Sequence, residues 1–227
     1  MITSAFPIGK GVLLYQAILF DFDGVIVESV AVKGRGFARL YEDQGKDAQQ
    51  RVVRFHEDHG GVSRVEKILH FNKEFGLPTD EVTLSRYRQR FSDFVLEEVI
   101  QCPFVPGAEE FLKNFSGKIP FFIVSATPEN ELHQPLKARN LTPFFKDALG
   151  SPTKKPEHVR RLIKTHGFDP KKLLFVGDAM TDLEAAQETG VHFLGRISPE
   201  VPDLFPCTIE KSADIFGELK KRLSKDS

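Results

Sequence analysis

Cysteine is scarce: only Cys102 and Cys207 occur, far apart and without the spacing of a metal site. That pattern excludes a disulfide framework and points to a reducing compartment, with both thiols expected as small buried hydrophobes. Long apolar runs are also missing, since none approaches the roughly 18 to 20 residues that a membrane span requires. No basic, apolar and small-residue succession marks a signal peptide, so a cytoplasmic protein without a membrane partner is expected. Excess charge of one sign is absent too: 31 basic and 32 acidic residues give a net charge of -1. Nothing therefore pulls the chain as a whole toward nucleic acid, and no basic stripe with interleaved aromatics does so locally. Internal repeats and low-complexity tracts do not occur.

What is present is an ordinary globular composition, 41% hydrophobic and 28% charged over 227 residues. That length suffices for one good core and a smaller second domain. The feature around which the rest is organised is residues 18–28, Ile-Leu-Phe-Asp-Phe-Asp-Gly-Val-Ile-Val-Glu. An apolar run with the character of a buried strand stops at two carboxylates, Asp21 and Asp23, and Gly24 lets the backbone turn away. Two neighbouring negative charges at the end of a buried strand repel each other and desolvate badly unless a cation lies between them. A divalent metal is the first expectation, and oxygen ligands suggest magnesium, Mg2+.

A stretch of different character follows. Apolar positions at three- and four-residue intervals, such as Val65, Ile68 and Leu69, predict helices near 32–42, 48–59, 62–75 and 80–99. No convincing strand interrupts them, so residues 28–102 read as a small helical bundle. From Lys118 onward strand and helix alternate. Strands are predicted at 120–124, 144–149, 173–178 and 191–194, with a possible last one at Thr208-Ile209. Helices are predicted at 108–115, 129–140, 157–166, 181–189 and 213–223, with Pro135 expected to break or kink the second. The economical architecture is α/β: a Rossmann-like parallel sheet with helices on both faces, formed by residues 1–27 and 103–227. The first strand belongs to that sheet, yet about 100 residues separate it from the next, far beyond an ordinary crossover. The helical bundle is thus an inserted domain. Whether the segment before Tyr15 forms an ordered arm is left open by the sequence, and the tail after Leu223 is expected to fray.

Ligands of open parallel sheets collect beyond the carboxyl ends of the strands. Here such ends carry Asp21 and Asp23, then Ser125, then Asp178. Taken in order, Asp21-Phe22-Asp23-Gly24-Val25, Ser125, Lys155-Pro156 and Gly177-Asp178 through Asp182 resemble the four motifs of the haloacid dehalogenase superfamily of hydrolases. The resemblance covers nearly the whole chain, and the helical insertion falls where that superfamily places a cap. It implies a magnesium-dependent phosphatase acting on a small phosphorylated metabolite through an aspartyl-phosphate. Asp21 would be the nucleophile and Asp23 the general acid and base, a residue that the dehalogenases of the group lack. Ser125, with the amides around it and Ala126, would hold the phosphoryl oxygens, and Lys155, rather than Lys154, would face them. Metal would be held by Asp21, Asp178 and the carbonyl of Asp23, with Asp182 steadying its waters or Lys155.

One further stretch, Gly60-Gly61-Val62-Ser63-Arg64, is similar to the substrate loop of β-phosphoglucomutase and related sugar-phosphate enzymes. That likeness implies that Arg64 receives the unreactive part of the substrate and keeps a phosphomutase as the alternative activity. Equally, Ser63 can simply cap a helix that leaves Arg64 exposed. Lys33 and Arg35, early in the helical stretch, stand within reach of the same cleft, with surface charge the favoured expectation for both. A monomer is the simplest expectation.

Overall fold

The computed structural model describes residues 14–59, 61–199 and 203–224. In chain order the elements are β1 (Ala17–Phe20), α1 (Val30–Leu40), α2 (Lys46–Asp58), α3 (Arg64–Glu74), α4 (Glu81–Gln101), α5 (Ala108–Phe115), β2 (Phe121–Pro128), α6 (Glu129–Ala138), β3 (Asp147–Ser151), α7 (Lys155–His166), β4 (Leu173–Gly177), α8 (Met180–Thr189), β5 (His192–Arg196), β6 (Lys211–Ser212) and α9 (Ile215–Ser224). The strands form one parallel sheet in the order β3-β2-β1-β4-β5-β6. The earliest strand is therefore central, flanked by β2 and β4, and every other strand was added outward from it.

Strand side chains alternate between the faces, and β1 shows what this does. Ile18 and Phe20 join one apolar cluster with Phe111 of α5 and Phe216 of α9. Ala17 and Leu19 join the other, with Val159 and Leu162 of α7 and Ala185 and Ala186 of α8. A strand buried on both sides reads as a continuous apolar run, which is why 17–20 carries no polar residue.

Between β1 and α5 the chain runs through α1 to α4, whose packing is largely aromatic and belongs to the same apolar cluster as Ile18 and Phe20. Phe37 packs 4.5 Å from Phe91 and 5.1 Å from His56, and Tyr41 packs against Phe71, Phe75 and Tyr87. Ser63 caps α3: its hydroxyl accepts from the Glu66 amide at 3.3 Å, and the Glu66 carboxylate accepts from the Ser63 amide at 3.1 Å. The two ends of the insertion leave the sheet side by side, for Val105 donates to the Ile26 carbonyl and Glu28 to the Pro103 carbonyl, each at 3.0 Å.

Three expectations are corrected. Helix α6 is not broken at Pro135 but continues to Ala138, with the bond back to Glu131 the one that the proline cannot make. The last strand is Lys211–Ser212 and not Thr208-Ile209, as its partners on β5 are Gly195 and Arg196. Cys102 is buried but Cys207 is exposed, and both are free thiols. The N-terminal segment up to residue 13 and the tail from residue 225 lie outside the described residues. No described helix is long and apolar enough to cross a membrane.

Candidate active site

Strand β1 ends at Phe20, one residue before the first carboxylate, so Asp21 and Asp23 belong to the turn that follows and not to the ladder. The Asp21 amide still donates to the Val176 carbonyl of β4 at 2.9 Å, which fixes the start of that turn. Gly24 then adopts φ +71, and a Cβ there would run into the carboxylate of Asp178. Any side chain at this position would close the space between the first and last acidic segments, hence glycine.

Four strand ends bring the site together. Lys155, the first residue of α7, donates from Nζ to Asp21 Oδ2 at 2.7 Å and to Asp182 Oδ1 at 2.6 Å. The other Asp21 oxygen accepts from the Phe22 amide at 2.6 Å, and Asp182 Oδ2 accepts from the Ala179 amide at 3.1 Å. Pro156 stands in the first turn of α7, where its missing N–H costs nothing, and Lys154 before it is exposed. Asp21, Asp178 and Asp182 each offer an oxygen within 4.8 Å of the others.

Their electrostatics are those of an acidic cluster with too little positive charge. Burial, then repulsion from Asp21 and Asp182, pushes the Asp178 carboxyl well above its ordinary value, against the opposing charge of Lys155. Burial also raises Asp182, less so because Lys155 holds it. Lys155 is itself raised: burial opposes its charge, but Asp182 and Asp21 outweigh that. A hard divalent cation is the group that such an all-oxygen set accommodates, and magnesium fits it.

Asp23 faces the other way. Its Oδ1 accepts from Ser29 Oγ at 2.5 Å, and Oδ2 accepts from Thr127 Oγ1 at 2.9 Å and from Lys33 Nζ. Burial alone would raise this carboxyl, yet the Lys33 charge and these hydrogen bonds hold it below its ordinary value. Ser125 is buried, and its Oγ accepts from the Thr127 amide at 3.1 Å. These residues, with Ala126, line a cavity of about 90 Å³ whose other wall comes from the helical insertion through Lys33, His56, Arg64 and Lys67.

Arg64 lines this cavity too, but its guanidinium is engaged. It pairs with Glu131 of α6, one bond at 3.0 Å and a second through Nη2, donates to Ser92 Oγ at 2.8 Å and stacks 4.4 Å over Phe91. Ser63 caps the helix as expected, but Arg64 is buried and not exposed, and it turns onto a carboxylate of the sheet's helical layer. Of the two readings of Lys33 the structure shows the cleft and not surface charge, since it bonds Asp23 and also Thr127 Oγ1 at 2.8 Å. Its only signal in the sequence was its place one turn into the helix that leaves the acidic segment. Arg35 is exposed and pairs with Glu98, as surface charge should.

A model of haloacid dehalogenase-like hydrolases matches residues 18–196. Curated relatives include phosphoglycolate phosphatases of Pseudomonas putida, 24% identical across 80% of this chain and 69% of theirs, and of Pseudomonas savastanoi, 27% identical across 92% and 78%. Among solved structures, a predicted phosphoglycolate phosphatase from Haemophilus somnus superposes with a TM-score of 0.72 at 21% identity, covering 92% of this chain and all of that one. Fold and site together define a haloacid dehalogenase-like hydrolase, and the chain belongs to that family. Within it the chain is a phosphatase.

Proposed function

We propose that the protein is a magnesium-dependent phosphatase that hydrolyses a small phosphorylated metabolite, of the size and charge of phosphoglycolate, through an aspartyl-phosphate on Asp21. The observation that carries this reading is the position of Asp21: one oxygen on Lys155, the other on a backbone amide, and two further carboxylates within 4.8 Å. Asp21 and Asp178, with the Asp23 carbonyl, would hold the metal, and Asp182 would steady Lys155 and the metal's waters. Bound there, magnesium supplies the positive charge that lets an anionic phosphoryl group approach a carboxylate.

The chain's own residues do the rest. An Asp21 oxygen attacks phosphorus, the bond to the leaving alcohol breaks, and a protonated Asp23 gives that oxygen its proton. In the second half Asp23, now ionised, takes a proton from water as the water attacks phosphorus and releases phosphate and Asp21. Ser125 Oγ and the amides at Ala126 would receive the phosphoryl oxygens, with Lys155 opposite them. Lys33 keeps Asp23 ionised until a more negative group arrives to draw Lys33 away. Residues 28–102 act as a cap over a core of 1–27 and 103–227, excluding bulk water from the cavity. The free thiols suit the cytoplasm, and a monomer contains every residue invoked.

The test is phosphate release from a panel of metabolite phosphates with Mg2+. Turnover should vanish in Asp21→Asn and fall by about 10²- to 10⁴-fold in Asp23→Asn, the range of a lost general acid and base. Undiminished turnover in Asp21→Asn would end the proposal. Isomerisation of a sugar phosphate without phosphate release would instead assign a phosphomutase.

A further inference from the structure

Of the described cations around the cavity, one has no ion-pair partner among the described residues. Lys33 answers Asp23, Arg64 answers Glu131, and Lys155 answers Asp21 and Asp182. Lys67, on α3, is only 2% exposed, lines the same cavity and forms no ion pair with a described residue. Its Nζ meets His56 Nδ1 at 2.7 Å and lies 5.6 Å from the centre of the Phe37 ring. Glu57 also borders the cavity but does not pair with it. An ammonium buried without a counter-ion is costly, and a fold keeps one where a ligand completes it. Burial first, then repulsion from Lys33, lowers Lys67 to about 7 despite attraction by Asp178. His56 is pushed well below its ordinary value by burial and by Lys67, so the ring stays neutral and accepts from the ammonium.

We propose that Lys67, positioned by His56, selects a phosphate ester that carries a second anionic group, a carboxylate or a second phosphate, at the end away from the reacting phosphorus. This rests on the phosphatase reading above and adds the residue that chooses among phosphates. Lys67 stands on the wall of the cavity contributed by the insertion, whereas Asp21 stands on the wall contributed by the sheet, so one compact molecule spans them. Arg64, one turn earlier on α3, does not take this part because Glu131 and Ser92 already occupy its guanidinium.

Steady-state kinetics of the full chain with Mg2+ on matched pairs test it: phosphoglycolate against 2-hydroxyethyl phosphate, and glucose 1,6-bisphosphate against glucose 1-phosphate. The wild type should favour the doubly anionic member of one pair by roughly 10- to 100-fold in kcat/KM, the worth of one charged hydrogen bond, mainly through KM. The pair that responds says whether the second anion is a carboxylate or a phosphate. Lys67→Met should bring that ratio close to one, Lys67→Arg should restore part of it, and without substrate Lys67→Met should melt no lower than wild type. No preference in either pair, an unchanged ratio in Lys67→Met, or a variant that unfolds or melts lower makes Lys67 a structural residue and overturns the proposal. If the wild type releases phosphate from none of these, nor from p-nitrophenyl phosphate, the phosphatase reading itself has failed.

Discussion

At the scale of single residues, charge governs the site. Asp178 is held above its ordinary carboxyl value by burial and by Asp21 and Asp182. Unfolded, the same group ionises near 3.8, so as pH rises past that value the unfolded chain loses a proton that the metal-free fold retains. Stability therefore falls with rising pH in this window. Asp178→Asn should soften the fall and raise the metal-free melting temperature, about 2–4 °C for each 1 kcal/mol relieved. It should also lose the stabilisation by Mg2+, which in the wild type would reach about 2.7 kcal/mol at a hundredfold excess over Kd. Calorimetry with and without metal checks both. Asp23 has the opposite sign: Lys33 keeps it ionised below the ordinary range, so its contribution is present above 3.8 and lost only as pH falls through its lower folded value. Lys33→Met should raise that carboxyl and, since Asp23 must carry a proton for the first step, move the limb on which kcat/KM falls with rising pH to higher pH. An unmoved limb would mean that Asp23 does not set it.

At the scale of elements, much was legible because the signals were local. The apolar run that opens at Ile18, the helix α5 and, to within one residue, the end of β4 beside Asp178 follow from periodicity and from a carboxylate at a strand end. What depended on partners distant in sequence was not legible. Lys33 meets Thr127 across 94 positions and Arg64 meets Glu131 across 67, and no pattern within either segment announces the other. Strand β6 was misplaced for the same reason, since two residues become a strand only because β5 accepts them. The Ser63 cap of α3 is the local case, legible in its own segment, to which the structure adds Glu66 as the other half of a capping box. Ser63→Ala should cost about 1 kcal/mol, a drop of a few degrees by thermal melting, and should loosen the segment that carries Arg64 and Lys67.

For the whole molecule, polar links at the cavity tie the helical segment to the sheet layer, Lys33 to Asp23 and Thr127 and Arg64 with Ser92 to Glu131, while at its far end Arg139 donates to the Ile100 and Cys102 carbonyls, each at 2.6 Å. Glu131→Gln should weaken the second link by about 1.5–3 kcal/mol, less in so far as Glu131 is partly exposed. Hydrogen exchange should then quicken across α3 and the middle of α4 while β1 and β4 stay protected. Equal protection throughout would mean that these links do not hold the two parts together.

The central place of β1 has a consequence for how this enzyme fails. Asp21 hangs from the strand with neighbours on both sides, and such strands exchange only when the entire molecule opens. Asp21, the proposed nucleophile, is therefore as durable as the protein. Lys67, on a helix that packs chiefly on α4 and not on the sheet, is not. As urea rises, the ability to tell one phosphate ester from another should disappear before the ability to cleave one, leaving at intermediate denaturant an indiscriminate catalyst.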